Sequence, residues 1–400
     1  MSKPEKKSLV PALRFPEFRN AGEWKKKPLA PYLEQYSERA SSSTELEVYS
    51  STREGLKPQS EYYDGRNLVN DGEYGVVPTG YFVYRHMSDD DVFKFNLNQL
   101  GKKIAVSKEY PVFKTVNLDA RFLLNKLNEG QEFKKFAVSQ KKGGTRTRLY
   151  FKTLRTFKSY LPAFEEQQKI ADCLTSVDEL ITAQTQKLDA LKTHKKGLMQ
   201  QLFPAEGETV PKLRFPEFRG KGEWVPRSVS QFAKVTTGAK DTQNKVDGGC
   251  YPFFVRSQTV ERINTYSYDG EAILTSGDGV GVGKNFHYIR GKFDFHQRVY
   301  CIYDFDEGVS GIFFYLYFSE HFGDRVMRLS AKNSVDSVRM AMITEMPVML
   351  PSISEQSRIA DCLSSVYELI TAQTQKLDTL KTHKKGLMQQ LFPAMDEVEA

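Results

Sequence analysis

The chain has 400 residues, of which 40% are hydrophobic and 12% aromatic, and its formal net charge is +7 at pH 7. This length predicts at least two domains with their own cores, and the composition argues against a disordered tail. Four cysteines without a Cys-x-x-Cys pair argue against a disulfide framework or a zinc ribbon, and the mild basic charge favours a polyanionic partner only weakly. A polar start and no long apolar run predict a cytoplasmic protein without membrane contact.

The first feature in chain order is a short arm that occurs twice. Residues 13–19 read Leu-Arg-Phe-Pro-Glu-Phe-Arg, and the same seven residues return at 213–219. Gly-Glu-Trp follows each copy, so the two tryptophans of the chain, Trp24 and Trp224, occupy equivalent positions. The arm therefore belongs to a duplicated scaffold.

The first module, residues 25–160, alternates strand-like runs with turns. Runs at 81–84 and 111–114 predict strands, and the pattern at 118–127 predicts a short helix. Its last loop, 141–148, is rich in lysine, arginine, glycine and threonine. Such side chains suit phosphates and base edges, and a solvated surface loop is the alternative.

A long helix follows, and it too occurs twice. Residues 166–205 and 355–394 align without a gap over 40 positions and differ at five. Apolar residues recur every three or four positions, which predicts a heptad seam on each helix. The predicted seam residues are Ile170, Leu174, Val177, Ile181, Leu188, Leu191 and Leu198, with Ile359, Leu363, Val366, Ile370, Leu377, Leu380 and Leu387 in the second copy.

The two seams match residue for residue, so each helix is the nearest partner of the other. The second module separates them in the chain, which predicts an antiparallel pair with a pseudo-two-fold axis. The polar seam members Gln184 and Lys195, with Gln373 and Lys384 in the copy, are expected to fix the register. A contact of the cationic run at 194–196 and its copy with DNA or a partner protein is the alternative.

The second module, residues 225–350, shows almost no similarity to the first. Strands are predicted at 272–275 and 298–303, and a helix at 311–322. The glycine-rich loop 276–284 fails as a phosphate loop because Asp278 stands where glycine is needed. A glycine-rich hairpin and a loop beside a DNA backbone remain as alternatives. A second polar loop, 331–339, precedes the strand that leads to the helix.

The loops of both modules supply the candidate DNA-binding residues. They are Arg85, His86, Lys142, Thr145, Arg146, Arg148, Lys284, Lys332, Asn333, Ser334 and Arg339. No serine-nucleophile, zinc-protease or amino-methyltransferase motif occurs, so no catalytic or metal-binding residue is predicted.

The scaffold resembles the specificity subunit of type I restriction–modification enzymes. The resemblance rests on the arm motif, on the Leu-Pro-x-x-x-Glu-Gln-x-x-Ile-Ala helix starts at 161–171 and 350–360, and on the Leu-Met-Gln-Gln-Leu-Phe-Pro endings at 198–204 and 387–393. It covers essentially the whole chain, while the modules match in placement and loop style only.

The resemblance implies an α+β fold, with two α/β target recognition domains separated by two long antiparallel coiled-coil helices. The implied domains are 1–160 and 206–349 for recognition, and 161–205 and 350–400 for the helices. Each recognition domain would read one half of a bipartite, asymmetric target in double-stranded DNA.

The resemblance also implies partners for the helix pair, which would set the gap between the half-sites and dock two modification (methyltransferase) subunits. This chain would bind no cofactor, because S-adenosylmethionine, ATP and Mg would act in the modification subunits and in the restriction subunits. Two alternatives are a self-contained DNA-modifying enzyme and a coiled-coil adaptor that binds proteins rather than DNA.

Overall fold

A computed structural model of the chain describes residues 10–63, 72–141, 145–205, 207–330 and 337–393. The chain divides into two compact units, Met1–Gln184 with Lys376–Ala400, and Thr185–Gln375. Each unit contains one module together with part of each long helix. The units therefore cut across the predicted helix domains 161–205 and 350–400.

The described residues of the first unit form short strands and four short α-helices, besides parts of the long helices. The strands are β1 (Lys25–Pro28), β2 (Leu33–Tyr36), β3 (Arg39–Ala40), β4 (Tyr49–Thr52), β5 (Gly55–Pro58), β6 (Tyr74–Val77), β7 (Phe82–Tyr84), β8 (Met87–Ser88), β9 (Phe95–Leu97), β10 (Ile104–Ser107), β11 (Val112–Thr115), β12 (Thr147–Arg148) and β13 (Lys158–Leu161). The helices are α1 (Gln59–Tyr62), α2 (Ala120–Glu129), α3 (Gln131–Ser139) and α4 (Phe151–Leu154). The predicted strands at 81–84 and 111–114 and the helix at 118–127 are observed as β7, β11 and α2.

Within this unit, a four-stranded sheet has the order β2-β11-β7-β9 and a three-stranded sheet the order β10-β6-β3. Its core is aromatic: Phe82 stacks on Phe113 at 4.8 Å between ring centroids, and Phe122 of α2 lies in the same buried cluster. Side chains of a strand alternate between the two faces of a sheet. The rings of Phe82 and Phe113 lie on the face that α2 covers.

The two long helices are α5 (Phe164–Leu202) and α8 (Ile353–Leu391), with 39 residues each. At a rise of about 1.5 Å per residue, each is about 58 Å long. The helices in the described ranges include none that is both long and apolar enough to cross a bilayer.

The second unit contains one larger sheet. Its elements are β14 (Val225–Ser228), β15 (Lys234–Thr237), β16 (Tyr251–Phe254), β17 (Glu261–Ile263), β18 (Tyr268–Ser276), β19 (Phe286–Phe295), β20 (Val299–Tyr303), β21 (Pro347–Leu350), α6 (Gly311–Leu329) and α7 (Met340–Thr344). Six strands lie in the order β15-β20-β18-β19-β16-β17, and α6 packs on β18 and β19. The predicted strands at 272–275 and 298–303 and the helix at 311–322 lie within β18, β20 and α6, apart from Arg298, which precedes β20.

The long helices run antiparallel inside each unit. In the first unit, Leu174 near the start of α5 shares a core with Leu391 at the end of α8. In the second, Leu363 near the start of α8 shares a core with Leu202 at the end of α5. All fourteen predicted seam residues are buried or half-buried.

The seam lysines have partners on the opposite helix. Lys384 lies 2.6 Å from a carboxylate oxygen of Asp178, and Lys195 lies 4.1 Å from the ring centroid of Tyr367. Asp178 and Tyr367 occupy equivalent positions of the repeat, and this pair is one of the five that differ. Each unit therefore pairs its half-buried seam lysine differently, through an ion pair in one unit and a cation–π contact in the other.

Both arms bind the long helices through an arginine. The Arg14 guanidinium donates to both carboxylate oxygens of Glu166 at 2.8 and 2.7 Å, and Arg214 does the same to Glu355 at 2.7 Å. The amide of Leu13 also donates to the carbonyl of Gln390, as that of Leu213 does to Gln201. We name these contacts the arm clamp; each clamp joins the start of one long helix to the end of the other.

A buried glutamine joins each module to its helix. The side-chain oxygen of Gln167 accepts from the amide of Asp119 at 3.0 Å, and that of Gln356 accepts from the amide of Ser310 at 2.9 Å. Asp119 caps α2 and Ser310 caps α6, so the same bond orients a helix in each module. Two modules of unlike sequence are thus held by equivalent scaffold residues.

Candidate nucleic-acid interfaces

In the first module, the structure brings two separate predicted segments together. Strand β8, directly after Arg85 and His86, pairs antiparallel with β12, which contains Arg148. The amide of Leu149 donates to the carbonyl of His86 at 2.8 Å. Arg85, Thr145, Arg146 and Arg148 are exposed on the surface that results.

The cations around this surface are paired with three consecutive aspartates, 89–91, which we name the aspartate turn. Arg146 lies 2.7 Å from Asp89, Arg53 lies 2.5 Å from Asp90, and Lys141 lies 3.2 Å from Asp91. The hydrogen bond from Arg53 lowers the pKa of Asp90 to about 2, and the one from Thr147 lowers the pKa of Asp91. Asp90 and Asp91 are therefore ionised at neutral pH, and the ion pairs hold the cations in place while leaving them in contact with solvent.

His86 differs from its neighbours because its side chain is only 8% exposed. The ring stacks on Tyr150 at 5.6 Å between centroids, and its Nδ1 has no hydrogen-bond partner among the described residues. It supports the β8–β12 pair from the inside, while the exposed Tyr150 lies next to it.

In the second module, the two predicted loops also meet. Asp278 in the glycine-rich loop forms an isolated antiparallel bridge with Ser337, and the amide of Val338 donates to the carbonyl of Gly277 at 2.7 Å. The glycine-rich loop joins the antiparallel neighbours β18 and β19, so it is a hairpin connection. Lys284 and Arg339 are both exposed, and Arg339 precedes α7 as its N-cap.

Lys142, Lys332, Asn333 and Ser334, which are candidate DNA-binding residues, lie outside the described residues.

Sequence reasoning missed three arginines at these surfaces. Arg53 joins the aspartate turn, and Arg256 and Arg298 both donate to Asp278. Each is separated from its aspartate by 20 or more positions, so no local pattern indicates the contact. These arginines are exposed on strand ends and turns, and that position becomes visible only in the folded structure.

The described residues offer little for catalysis. They include no group of three or more histidine, cysteine, aspartate or glutamate side chains arranged to hold a metal ion. Burial raises the pKa of the Cys301 thiol to about 12 and that of Cys173 above its ordinary value, which keeps both thiols protonated at neutral pH.

Known proteins share the sequence pattern and the fold. A family model described as the type I restriction modification DNA specificity domain matches residues 64–193 and 221–382, more than half of the chain. The chain is 28% identical over 159 residues to the type I restriction enzyme EcoDI specificity subunit of Escherichia coli, which is 40% of this chain and 34% of that protein. It is 25% identical over 325 residues to the MjaVIII specificity subunit of Methanocaldococcus jannaschii, which is 73% of this chain and 74% of that protein.

Among solved structures, the S subunit of a type I restriction–modification system from M. genitalium covers 97% of this chain with a TM-score of 0.67 and 12% sequence identity. All of that subunit is matched. A chain from a structure concerning complex assembly and conformational transition of the type I R-M system covers 93% of this chain, with 98% of its own length matched, a TM-score of 0.51 and 15% identity. At these identities the similarity is one of fold.

Proposed function

Because the chain belongs to the family of type I restriction–modification DNA specificity proteins, we propose that each of its modules reads one half of a bipartite, asymmetric DNA target. The chain is then a sequence-selecting subunit without catalytic residues of its own. Its partners carry out the chemistry on the DNA that it selects.

One observation carries this proposal: equivalent scaffold contacts hold two unlike modules. Gln167 and Gln356 make the same bond to a helix cap, while the sheets differ, with four and three strands in one module and six in the other. Two dissimilar surfaces on equivalent supports favour a target with two different halves.

The exposed cations support DNA as the ligand. Arg146 and Arg148 in the first module, and Lys284 and Arg339 in the second, lie on loops or strand ends. Contacts of this kind to phosphates supply most of the affinity, and the few side chains that reach base edges supply the specificity.

We assign the gap between the half-sites, and the docking of two modification subunits, to the helix pair. The modification subunits would methylate adenine with S-adenosylmethionine after the base leaves the stack. Restriction subunits would supply ATP- and Mg-dependent translocation and cleavage.

Mapping methylated adenines across a genome tests the proposal. Cells with this chain and its partner subunits are compared with cells that lack only this chain, and with cells in which residues 25–160 are exchanged for the module of another family member. We expect a split motif that depends on the chain, of which the exchange changes one half and leaves the other.

A motif that survives loss of the chain, or both halves changing together, contradicts the proposal. Purified complex that selects no DNA sequence favours a coiled-coil adaptor instead. Methylation by the purified chain alone with S-adenosylmethionine favours a self-contained enzyme.

A further inference from the structure

Two arginines of the second module share one aspartate. Nη1 of Arg256 donates to Oδ1 of Asp278 at 2.8 Å, and Nη1 of Arg298 donates to Oδ2 of the same carboxylate at 3.1 Å. The aspartate side chain is 18% exposed, while the arginines are 47% and 63% exposed. The carboxylate is thus more buried than the two cations, and each arginine donates to it through one of its five guanidinium donors.

Buried polar groups fix the backbone beneath each arginine. The side-chain amide of Asn285, which is 9% exposed, donates to the carbonyl of Arg256 at 3.1 Å. The amide of Arg298 donates to Nδ1 of His296, which is 3% exposed, at 2.9 Å. Guanidinium groups with fixed backbones and one shared anchor lose little conformational freedom when they bind a ligand.

The aspartate itself is held between two strand ends. The amide of Gly277 donates to the carbonyl of Arg298 at 2.8 Å, and a Cβ at Gly277 would lie only 2.9 Å from that oxygen. Glycine is therefore required next to Asp278. The bridge between Asp278 and Ser337 then joins this corner to the loop that leads to α7.

The charge balance here differs from that of the first module. There, Arg53, Lys141 and Arg146 each have their own carboxylate in the aspartate turn. Here two guanidinium groups share the carboxylate of Asp278, and each donates to it through one of its five donors. A planar fork of donors matches the O6 and N7 acceptors of guanine in the major groove.

We infer that Arg256 and Arg298 are specificity-determining residues that read guanine in the half-site of the second module, and that Asp278 is their positioning residue. This inference rests on the proposed function. The half-site of the second module therefore contains one or two G·C pairs whose replacement weakens binding.

The test uses the complete complex with its modification subunits and duplexes that carry the mapped target, with each base pair of each half-site replaced in turn. For Arg256→Gln and Arg298→Gln we expect discrimination at one G·C pair of the second module's half-site to fall roughly 5- to 150-fold. Discrimination in the other half-site stays unchanged. Arg227→Gln is the matched control, because Arg227 is a half-buried arginine of the same unit whose own carboxylate partner is Asp306, at 2.5 Å.

The variant Asp278→Asn shows whether Asp278 acts by orienting the two arginines or only through its negative charge. It removes a negative charge, so affinity for non-specific DNA stays equal or rises, while discrimination in the same half-site falls. Fluorescence of Trp224 reports whether the second unit is folded. If the Asp278→Asn variant unfolds, the two arginine variants alone test whether the arginines read guanine.

Uniform weakening over all duplexes, with a salt dependence reduced by about one ion per arginine, would make the two arginines phosphate contacts and overturn the inference. Unchanged discrimination in both arginine variants would also overturn it. In either case the wild-type complex still selects its target, whereas a wild-type complex that selects no sequence refutes the proposed function itself.

Discussion

Glu166 and Glu355 are equivalent residues of the repeat, and each binds the arginine of an arm. Both carboxylates are 1% exposed, and the arginine side chains are 6% and 10% exposed. Glu166 also accepts from Nε1 of Trp24 at 3.3 Å, whereas Nε1 of Trp224 finds no acceptor in the described part of the chain. Burial at this site makes each charge depend on its partner, because an unpaired buried charge is costly.

At the residue scale, we predict that Glu166→Gln destabilises the first unit. The substitution keeps the volume and leaves the Arg14 guanidinium buried without its counter-charge, so the free energy of unfolding should fall by about 3 kcal/mol. Denaturant titration followed by the fluorescence of Trp24, in a Trp224→Phe background, measures it.

Lys169→Gln is the matched control for that prediction. Lys169 pairs with Glu17 at 3.2 Å, but both side chains are about half exposed, so the loss of this pair should lower the free energy of unfolding much less than the loss of the buried pair. Equal, small effects of the two variants would show that the arm clamp does not stabilise the unit.

At the element scale, the two long helices are near-identical in sequence but not in their polar contacts. The ion pair of Lys384 with Asp178 and the contact of Lys195 with Tyr367 arise at one differing repeat position. Each fixes the lysine against the opposite helix at the same level of the repeat. That these lysines fix the register stays a prediction.

Inserting four residues after Thr182 and four after its equivalent Thr371 should widen the gap between half-sites by one or two base pairs. Both threonines are exposed and lie within α5 and α8. Four residues add about 6 Å of helix, against a rise of roughly 3.4 Å per base pair. Mapping of methylated adenines reads the gap directly.

The same four residues inserted at the exposed Asp247 provide the control for that prediction. This insertion enlarges a turn of the second module without lengthening either helix, so the gap should stay unchanged. A gap that ignores the helix insertions would refute the assignment of the helix pair as the spacer.

At the scale of the whole molecule, three buried or half-buried histidines link the stability of the second unit to pH. Burial lowers the pKa of His287, His296 and His321, all in the second unit. As the pH falls, these histidines bind protons near pH 6.5 in the unfolded chain. In the folded unit their lowered pKa values keep them neutral to a lower pH. Their contribution to stability is therefore complete above that pH and is lost as the pH falls toward the lowered values.

We therefore predict that the second unit loses stability between pH 7 and pH 5, before most carboxylates titrate. Thermal unfolding followed through Trp224 in a Trp24→Phe background should show a midpoint that falls with pH. Both tryptophans are 2% exposed, so each reports the unfolding of its own unit.

The double variant His287→Asn with His321→Gln should flatten this pH dependence, because it removes two of the three lowered pKa values. A midpoint that is independent of pH in the wild type, or a slope unchanged in the double variant, would contradict the prediction.

Patterns within the sequence were enough to predict the scaffold. The repeat, the heptad spacing and the strand-like runs predicted α5, α8, β7, β11, β18, β20, α2 and α6, because these signals depend on neighbours within a few residues. The direction of the helix pair followed from chain connectivity. The roles of Arg14, Glu166 and Gln167 in that scaffold did not, although their motif was visible.

Which polar groups meet depends on how the sheets and helices pack. Arg14 and Glu166 are 152 positions apart, and Arg256 reaches Asp278 across 22, so no periodic pattern links them. The cations that pair with the aspartate turn are also distant from it in the sequence. Composition shows only that these residues are basic, and not which carboxylates they contact. Charged partners that are far apart in the chain are brought together by the packing of the sheets. A salt bridge has no local conformational preference that a sequence pattern could reveal.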